Sequence, residues 1–319
     1  MTLEPDPQIW AIHQDANGYF WFGSNGQGIY QHDGQTLHQL TTSDGLVDNT
    51  IREIHEDHLG NLYIETPKGI SQFDGTSFHT LPILPQAESS WENAPTDLWF
   101  NGIGDYLYRF DGQQLHDLQL PEQDLSPLGL DTNVPLQEQR FSPYAVYGIN
   151  KDDDGNVWFG TVKAGAFRFD GTHFLWFGEP ELSTLPDGRV PGVRSILQDQ
   201  EGYVWLSNFH SKYRINPDAP KGYDKLKAVD LPEALIGDKI GNFNDGFKDP
   251  NGNLWMITYG GGVWKYDGNQ LTNIEVKNEL GTVLLLCIAQ DKEGTIWLGS
   301  RNDGIYKQNG STFEKFNLQ

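Results

Sequence analysis

Short apolar runs such as Ile9-Trp-Ala-Ile12 and brief alternations such as Phe78-His-Thr-Leu81 recur along most of the chain, set off by turns that contain aspartate, asparagine or glycine. Period-two alternation predicts short strands with one face buried. A helical period is nearly absent; only 231–240 has room for a turn or two. The strands fall into a repeat. Asp-x-x-Gly followed by an aromatic recurs as Asp15…Gly18…Trp21, Asp57…Gly60…Tyr63, Asp152…Gly155…Trp158, Asp199…Gly202…Trp205, Asp249…Gly252…Trp255 and Asp291…Gly294…Trp297. A seventh copy, Thr96-Asp-Leu-Trp99, keeps the aromatic and lacks the turn. About ten residues after each aromatic comes a second turn: Asp33-Gly34, Asp74-Gly75, Asp111-Gly112, Asp170-Gly171, Asp267-Gly268 and Asn309-Gly310, with Asn216-Pro217 in the fifth copy.

Each unit reads as four strands. The first ends at the Asp, whose side chain satisfies turn amides while Gly supplies positive φ. The second carries the aromatic, the third ends at the Asp-Gly hairpin, and the fourth is a brief alternation. Four strands in 36 to 59 residues, seven times over, predict an all-β, seven-bladed β-propeller with four antiparallel strands per blade. The expected organisation is an N-terminal extension over 1–8 and one propeller domain over 9–319. The blades are expected at 9–50, 51–90, 91–143, 144–191, 192–242, 243–284 and 285–319. Unit one opens on its first strand and unit seven closes on a fourth, so no strand is borrowed between the termini. Blade one is then expected to pack face to face on blade seven.

The motif Asn156-Val-Trp158-Phe-Gly160-Thr161, followed by Phe167-Arg-Phe169-Asp170-Gly171, resembles the two-component regulator propeller repeat family. So do Tyr19-Phe-Trp21-Phe-Gly23-Ser24 with Asp33-Gly34, and Gly45-Leu-Val-Asp-Asn49. The resemblance runs from about residue 9 to 319 and departs in units three and five. It implies a propeller of the kind found in periplasmic sensor ectodomains, several of which recognise carbohydrate. It therefore implies a periplasmic or extracellular location. Neither a membrane helix nor a kinase occurs in this chain, so the reading is a stand-alone propeller. Streptogramin lyases are a more distant relative in architecture.

Composition narrows the partners. Of 319 residues, 22 are Lys or Arg and 44 are Asp or Glu, a formal net charge of −22. An acidic surface repels nucleic-acid backbones and anionic membranes. Aromatics at 13% argue against disorder, and no apolar run is long enough to span a bilayer. The N-terminus has neither a basic nor an apolar leader segment, which leaves a cytoplasmic location or a removed leader. The single Cys287 excludes an internal disulfide and a Cys-based zinc site; it reads as a buried small hydrophobe.

No metal or cofactor is expected. The acidic turn Asp152-Asp-Asp-Gly-Asn lacks the ligand pattern of a calcium loop, and its Asp recurs as a turn cap. Arg109, Arg168, Arg214, Lys265 and Lys307, with Gln31 and Gln72, form a column repeated around the units and read as architecture. His13 and His55 occupy one column and read as tolerated inner-strand residues. His32, His38, His79, His116 and His173 read as solvated.

Residues that vary from unit to unit point to a site. One face receives the insertions at 120–143, 178–191 and 231–242, the starts of the first strands and the second-to-third connections. From the first strands come Trp10, Arg52, Tyr147, Arg194, Asn244 and Asp245; from the connections come Lys163, His210, Tyr259 and Arg301. Arginine suits bidentate recognition of carboxylate, and aromatics stack on sugars or planar ligands. The expected function is ligand recognition without catalysis, at the loop-rich mouth of the central channel. The ligand would be a polar or anionic small molecule or an oligosaccharide. The alternatives are a lyase, with Arg52 and Arg194 holding the ligand and His210 or Tyr259 abstracting a proton, and a protein-interaction platform. Ion pairing of the cations with Glu53 and Asp245 would remove the anion site.

Overall fold

The computed structural model describes residues 6–130, 142–184, 188–230 and 241–316. It contains seven four-stranded sheets, the fold class of a seven-bladed β-propeller. Blade one is β1 (Ile9–Gln14), β2 (Phe20–Ser24), β3 (Ile29–His32) and β4 (Leu37–Leu40). Blade two is β5 (Glu53–Glu56), β6 (Leu62–Thr66), β7 (Gly69–Phe73) and β8 (Phe78–Thr80). Blade three has β9 (Ile83–Leu84), β10 (Leu98–Asn101), β11 (Tyr106–Phe110) and β12 (Leu115–Gln119). Blade four is β13 (Val146–Lys151), β14 (Val157–Thr161), β15 (Ala166–Phe169) and β16 (Phe174–Phe177). Blade five is β17 (Ile196–Gln198), β18 (Val204–Leu206), β19 (Ser211–Ile215) and β20 (Tyr223–Lys227). Blade six is β21 (Asp245–Lys248), β22 (Leu254–Thr258), β23 (Gly262–Tyr266) and β24 (Leu271–Ile274). A small hairpin, β25 (Lys277–Asn278) and β26 (Gly281–Thr282), precedes blade seven: β27 (Leu285–Gln290), β28 (Ile296–Ser300), β29 (Ile305–Asn309) and β30 (Thr312–Phe316).

Six sheets follow chain order. Blade three departs. Its order is β10-β11-β12-β9, and β9 runs parallel to β12 at the outer edge. The third sheet thus takes a strand from upstream of residue 91, and among the described residues no strand pairs with the other edge of β10. This matches the sequence, where the third copy lacks the Asp-x-x-Gly turn that would join a first strand to the second.

The turn aspartate does more than cap. Its Oδ1 accepts backbone amides two and four residues on, as Asp15 does from Asn17 and Tyr19. Its Oδ2 accepts the indole N–H of the motif tryptophan: Trp21 at 2.8 Å, Trp158 at 2.8 Å, Trp205 at 3.0 Å, Trp255 at 2.9 Å and Trp297 at 2.7 Å. Burying an indole without a partner for its N–H is costly, so the six-residue spacing from Asp to Trp is a chemical requirement. Blade two keeps the bond with the Tyr63 hydroxyl, which donates to Asp57 at 3.0 Å. In blade three Asp97 lies only two residues before Trp99 and instead holds Arg109 at 2.9 Å, and the Trp99 N–H has no partner among the described residues.

The chain divides into two compact units, one of residues 1–82, 256–264 and 273–319, the other of 83–255 and 265–272. In the first, Trp21 meets Phe73 of blade two edge-on at 5.1 Å, with Ile54 and Ile64 in the same core. Trp297 packs on Phe20 of blade one at 4.7 Å. Cys287 is buried there against the Ile9 carbonyl, and β1 and β27 stay in separate sheets. In the second, Trp99 meets Phe159 at 5.4 Å, and Trp158 joins Ile196, Val204 and Tyr213. The insertions contribute to this core: Leu125 and Leu128, beside the short turn Ser126–Leu128, and Leu182, in the one-turn helix α1 (Pro180–Ser183), are buried. The helical turn expected at 231–240 lies outside the described residues.

Three expectations need correction. The basic residue opposite Trp205 is Lys212, not Arg214. The segment between β18 and β19 is irregular there, which shifts the register, and Arg214 stacks over Tyr203 instead. His32 and His116 are buried, not solvated. The His32 Nδ1 accepts the Gly34 amide, and the His116 ring bonds Asp111 and the Ser90 amide. In blades six and seven the basic column stacks on the aromatic one, with Lys265 5.1 Å from the Trp255 ring and Lys307 4.8 Å from the Trp297 ring.

The outer hairpins predict an acid limit. The amides of Thr36 and Gln35 hold the Asp33 carboxyl down to about 2, and the Ser77 amide with the His79 ring hold Asp74 well below the usual range. Gln270 and Asn269 amides act alike on Asp267. A depressed folded-state pKa contributes stability above the unfolded value and loses it as pH falls through the folded one. Melting temperature should therefore hold down to about pH 4 and then fall steadily towards pH 2. A flat profile across that window would contradict the turn assignment.

Candidate functional site

Five residues before each turn aspartate stands one column: Trp10, Arg52, Tyr147, Arg194, Asn244 and Leu286. Strands β1, β13 and β27 are bulged there, the register slipping between Ile9 and Ala11, Val146 and Gly148, and Leu285 and Cys287. The extra residues are Trp10, Tyr147 and Leu286. A bulge re-aims the side chain of its extra residue.

In the second unit this brings Tyr147 and Arg194 together. The Arg194 guanidinium lies 4.2 Å from the centre of the Tyr147 ring. Its Nε donates to the Pro191 carbonyl at 3.2 Å. The side chain is exposed, and no carboxylate lies within ion-pair distance of it among the described residues. The backbone beneath is braced: the Val193 amide donates to the Thr161 carbonyl at 2.9 Å. The Ser207 hydroxyl accepts the amides of Arg194 and Ser195, both at 2.8 Å, and donates to the Ser195 carbonyl. Ser207 has φ 50°, alone among non-glycine residues described. That is a left-handed conformation costly for serine, held by these three bonds. Gly192, at φ 65°, lets the backbone pass the Tyr147 ring, since a Cβ would sit 2.8 Å from it.

Lys163 follows β14, and its amide donates to the Pro143 carbonyl at 3.0 Å. His210 is exposed; its amide is capped by Asn208, and no carboxylate meets its ring among the described residues. Asn244 and Asp245 follow Phe243, whose ring is 5.4 Å from Phe209. The Asp245 carboxylate accepts the Gly246 amide at 2.8 Å.

In the first unit the structure brings Tyr259 and Arg301 together. Arg301 donates to the Tyr259 hydroxyl, and its guanidinium lies 5.7 Å from that ring. Trp10 is half-buried, with no partner for its N–H among the described residues. The Arg52 amide donates to the Glu65 carbonyl at 2.8 Å. The Arg194–Tyr147 and Arg301–Tyr259 pairs belong to different units. Sequence reasoning missed Ser207 and Gly192. A signal for the first exists: Ser207 takes the place of the motif glycine after Trp-aliphatic.

Residues 3–26, 140–163 and 280–302 match the two component regulator propeller family. These segments contain the first strands of blades one, four and seven, which carry the bulges. A histidine kinase, P4, of Formosa agariphila is 25% identical over 180 residues, covering 54% of this chain and 13% of the kinase. The extracellular domain of BT4673 from B. thetaiotaomicron superposes with a TM-score of 0.62 at 20% identity, over 97% of this chain and 39% of that one. A streptogramin B lyase superposes with a TM-score of 0.64 at 16% identity, over 96% of this chain and 94% of the lyase. At such identities the likeness is one of fold. The chain spans well under half the length of the kinase and of BT4673. No helix among the described residues is long and apolar enough to cross a membrane. Seven blades built on the Asp-x-x-Gly-aromatic turn, with three segments matching the family directly, make the chain similar to two component regulator propellers in repeat and in fold.

Proposed function

We propose that this propeller is a ligand-recognition module for an acidic small molecule or acidic oligosaccharide, bound without catalysis at the corner formed by Arg194 and Tyr147. The observation that carries the reading is an exposed guanidinium, stacked on an aromatic face, with no carboxylate paired to it among the described residues. In a chain of net charge −22 such a cation would ordinarily be neutralised. Stacking fixes the plane of the guanidinium and leaves its outer N–H groups to donate bidentately to a carboxylate. The bonds around Ser207 hold its backbone before any ligand arrives, which lowers the ordering cost of binding. Lys163, on a loop braced against the same segment, supplies further positive charge. A location outside the cytoplasm fits the reading, as the BT4673 domain is extracellular.

The first test is a thermal-shift screen of uronate-bearing and neutral oligosaccharides of equal length. A ligand at a hundred times its Kd stabilises by about 2.7 kcal/mol. Stabilisation by the acidic set and not by the neutral set is the expected result. Equal response to both, or response to neither, contradicts the reading.

A further inference from the structure

Blade two carries two glutamates where blades one, four, five and seven carry small residues, and blade six carries Asp245 and Ile257. Four positions before the turn aspartate stand Ala11, Gly148, Ser195 and Cys287 in blades one, four, five and seven, against Glu53 in blade two. Two positions after the aromatic stand Gly23, Gly160, Ser207 and Gly299, against Glu65. Those glycines have no room for a side chain: a Cβ on Gly23 would lie 2.5 Å from Ile51, and one on Gly160 2.2 Å from the Val193 carbonyl.

Blade two has no bulge, so Glu53 and Glu65 face each other directly across β5 and β6. His55, two residues along, shares their face. Its Nε2 lies 3.8 Å from Glu53 Oε2 and 3.7 Å from Glu65 Oε2, and one ligand atom from each of the three lies within 4.8 Å of the others. Like charges directly opposed on neighbouring strands are destabilising. The Glu65 side chain is only 1% exposed, where an ionised carboxylate demands neutralisation. Burial pulls His55 down, but Glu53 and Glu65 outweigh it and hold the imidazole above its ordinary value.

We propose that Glu53, His55 and Glu65 bind a first-row divalent cation, of the Mn²⁺ or Zn²⁺ class. One imidazole and two carboxylates suit such ions. Bonds of 2.0–2.2 Å in tetrahedral geometry place ligand atoms about 3.4 Å apart, so the His55–Glu53 and His55–Glu65 spacings need to close by only a few tenths of an ångström, while the two carboxylates, all ligand atoms lying within 4.8 Å, are brought together by the exposed and adjustable Glu53 side chain. A divalent cation would answer the two opposed carboxylates directly and take the imidazole as its nitrogen ligand. The proposal stands apart from the Arg194 reading, and neither depends on the other.

Chelator-treated protein should be titrated with Mn²⁺ by electron paramagnetic resonance and with Zn²⁺ against a chromophoric chelator, at pH 8. One saturable site is expected. Loss of a mere supporting partner costs tenfold to a hundredfold in metal affinity, so Glu65→Gln should weaken binding by on the order of a hundredfold. Glu53→Gln, at a largely open side chain, should do the same while keeping its circular dichroism and its metal-free melting temperature. His13→Gln, the equivalent histidine in blade one, should bind as wild type. Absence of saturable binding of both ions, or binding that Glu53→Gln leaves unchanged, overturns the proposal.

Discussion

Replacing Asp199 by alanine should lower stability by on the order of 3–5 kcal/mol, well beyond the loss of an ordinary turn cap. The carboxylate is buried. Its Oδ1 accepts the amides of Glu201 and Tyr203, and its Oδ2 accepts the Trp205 indole at 3.0 Å and the Lys212 ammonium at 3.2 Å. Truncation strands all four donors. The worst of them is Lys212, itself buried, whose other carboxylate, Glu201, is largely exposed. Burial pulls the Lys212 ammonium down, but attraction to Asp199 outweighs it and holds it above the ordinary lysine value. A base raised in this way contributes fully below its unfolded pKa and loses the contribution as pH rises through the folded one. The pair is therefore intact at neutral pH and weakens only in strong alkali. Denaturant unfolding measures the loss, and Lys212→Met in the Asp199→Ala background should recover much of it. A loss below about 1 kcal/mol, the cost of an ordinary cap, would contradict the anchoring role.

Gly160→Ala should cost about 1–3 kcal/mol and also disturb the Arg194 corner. Its Cβ would lie 2.2 Å from the Val193 carbonyl oxygen and 2.6 Å from Val193 Cγ1. One of these is backbone, so the strand end must move. Val193 is hydrogen-bonded to Thr161 and precedes Arg194, so displacement reaches the guanidinium that stacks on Tyr147. Gly155→Ala separates space from conformation: it has φ 82° with open space around it, and should strain its turn without moving Arg194. Thermal melts with a ligand titration distinguish the two. Equal stability of Gly160→Ala and wild type would mean that the two segments are not in contact.

The seven blades were legible because five of them rest on local chemistry at fixed spacing, a capping carboxylate, a glycine of positive φ and an indole six residues on, while blade two keeps the spacing with Tyr63 and blade three keeps the aromatic. The indole bond itself was not legible, because spacing alone does not show where a side chain reaches. The parallel strand Ile83–Leu84 is two residues long and leaves no alternation. The basic column failed at Lys212 because the irregular segment from Ser207 to His210 shifts the register, which composition does not reveal. The site residues were read from their variation between units. Their pairing was not, since Tyr147 and Arg194 meet only because a bulge turns one towards a neighbouring blade. Glu53 and Glu65 went unremarked as a pair for the same reason: their opposition depends on a register without a bulge. Residues 131–141, 185–187 and 231–240, one stretch in each of the three insertions, lie outside the described residues.

The most direct test of the recognition reading is a calorimetric titration of an acidic oligosaccharide from the screen into wild type, Arg194→Ala and Arg168→Ala. Arg168 belongs to the repeated column and faces Asp152 at 3.6 Å, so it controls for loss of a cation alone. A charge-assisted hydrogen bond is worth about 1.5–3 kcal/mol, so Arg194→Ala should weaken binding on the order of tenfold to a hundredfold. Arg168→Ala should bind as wild type. Affinity unchanged in Arg194→Ala, or lost equally in both variants, would contradict an anion site at the Arg194–Tyr147 corner.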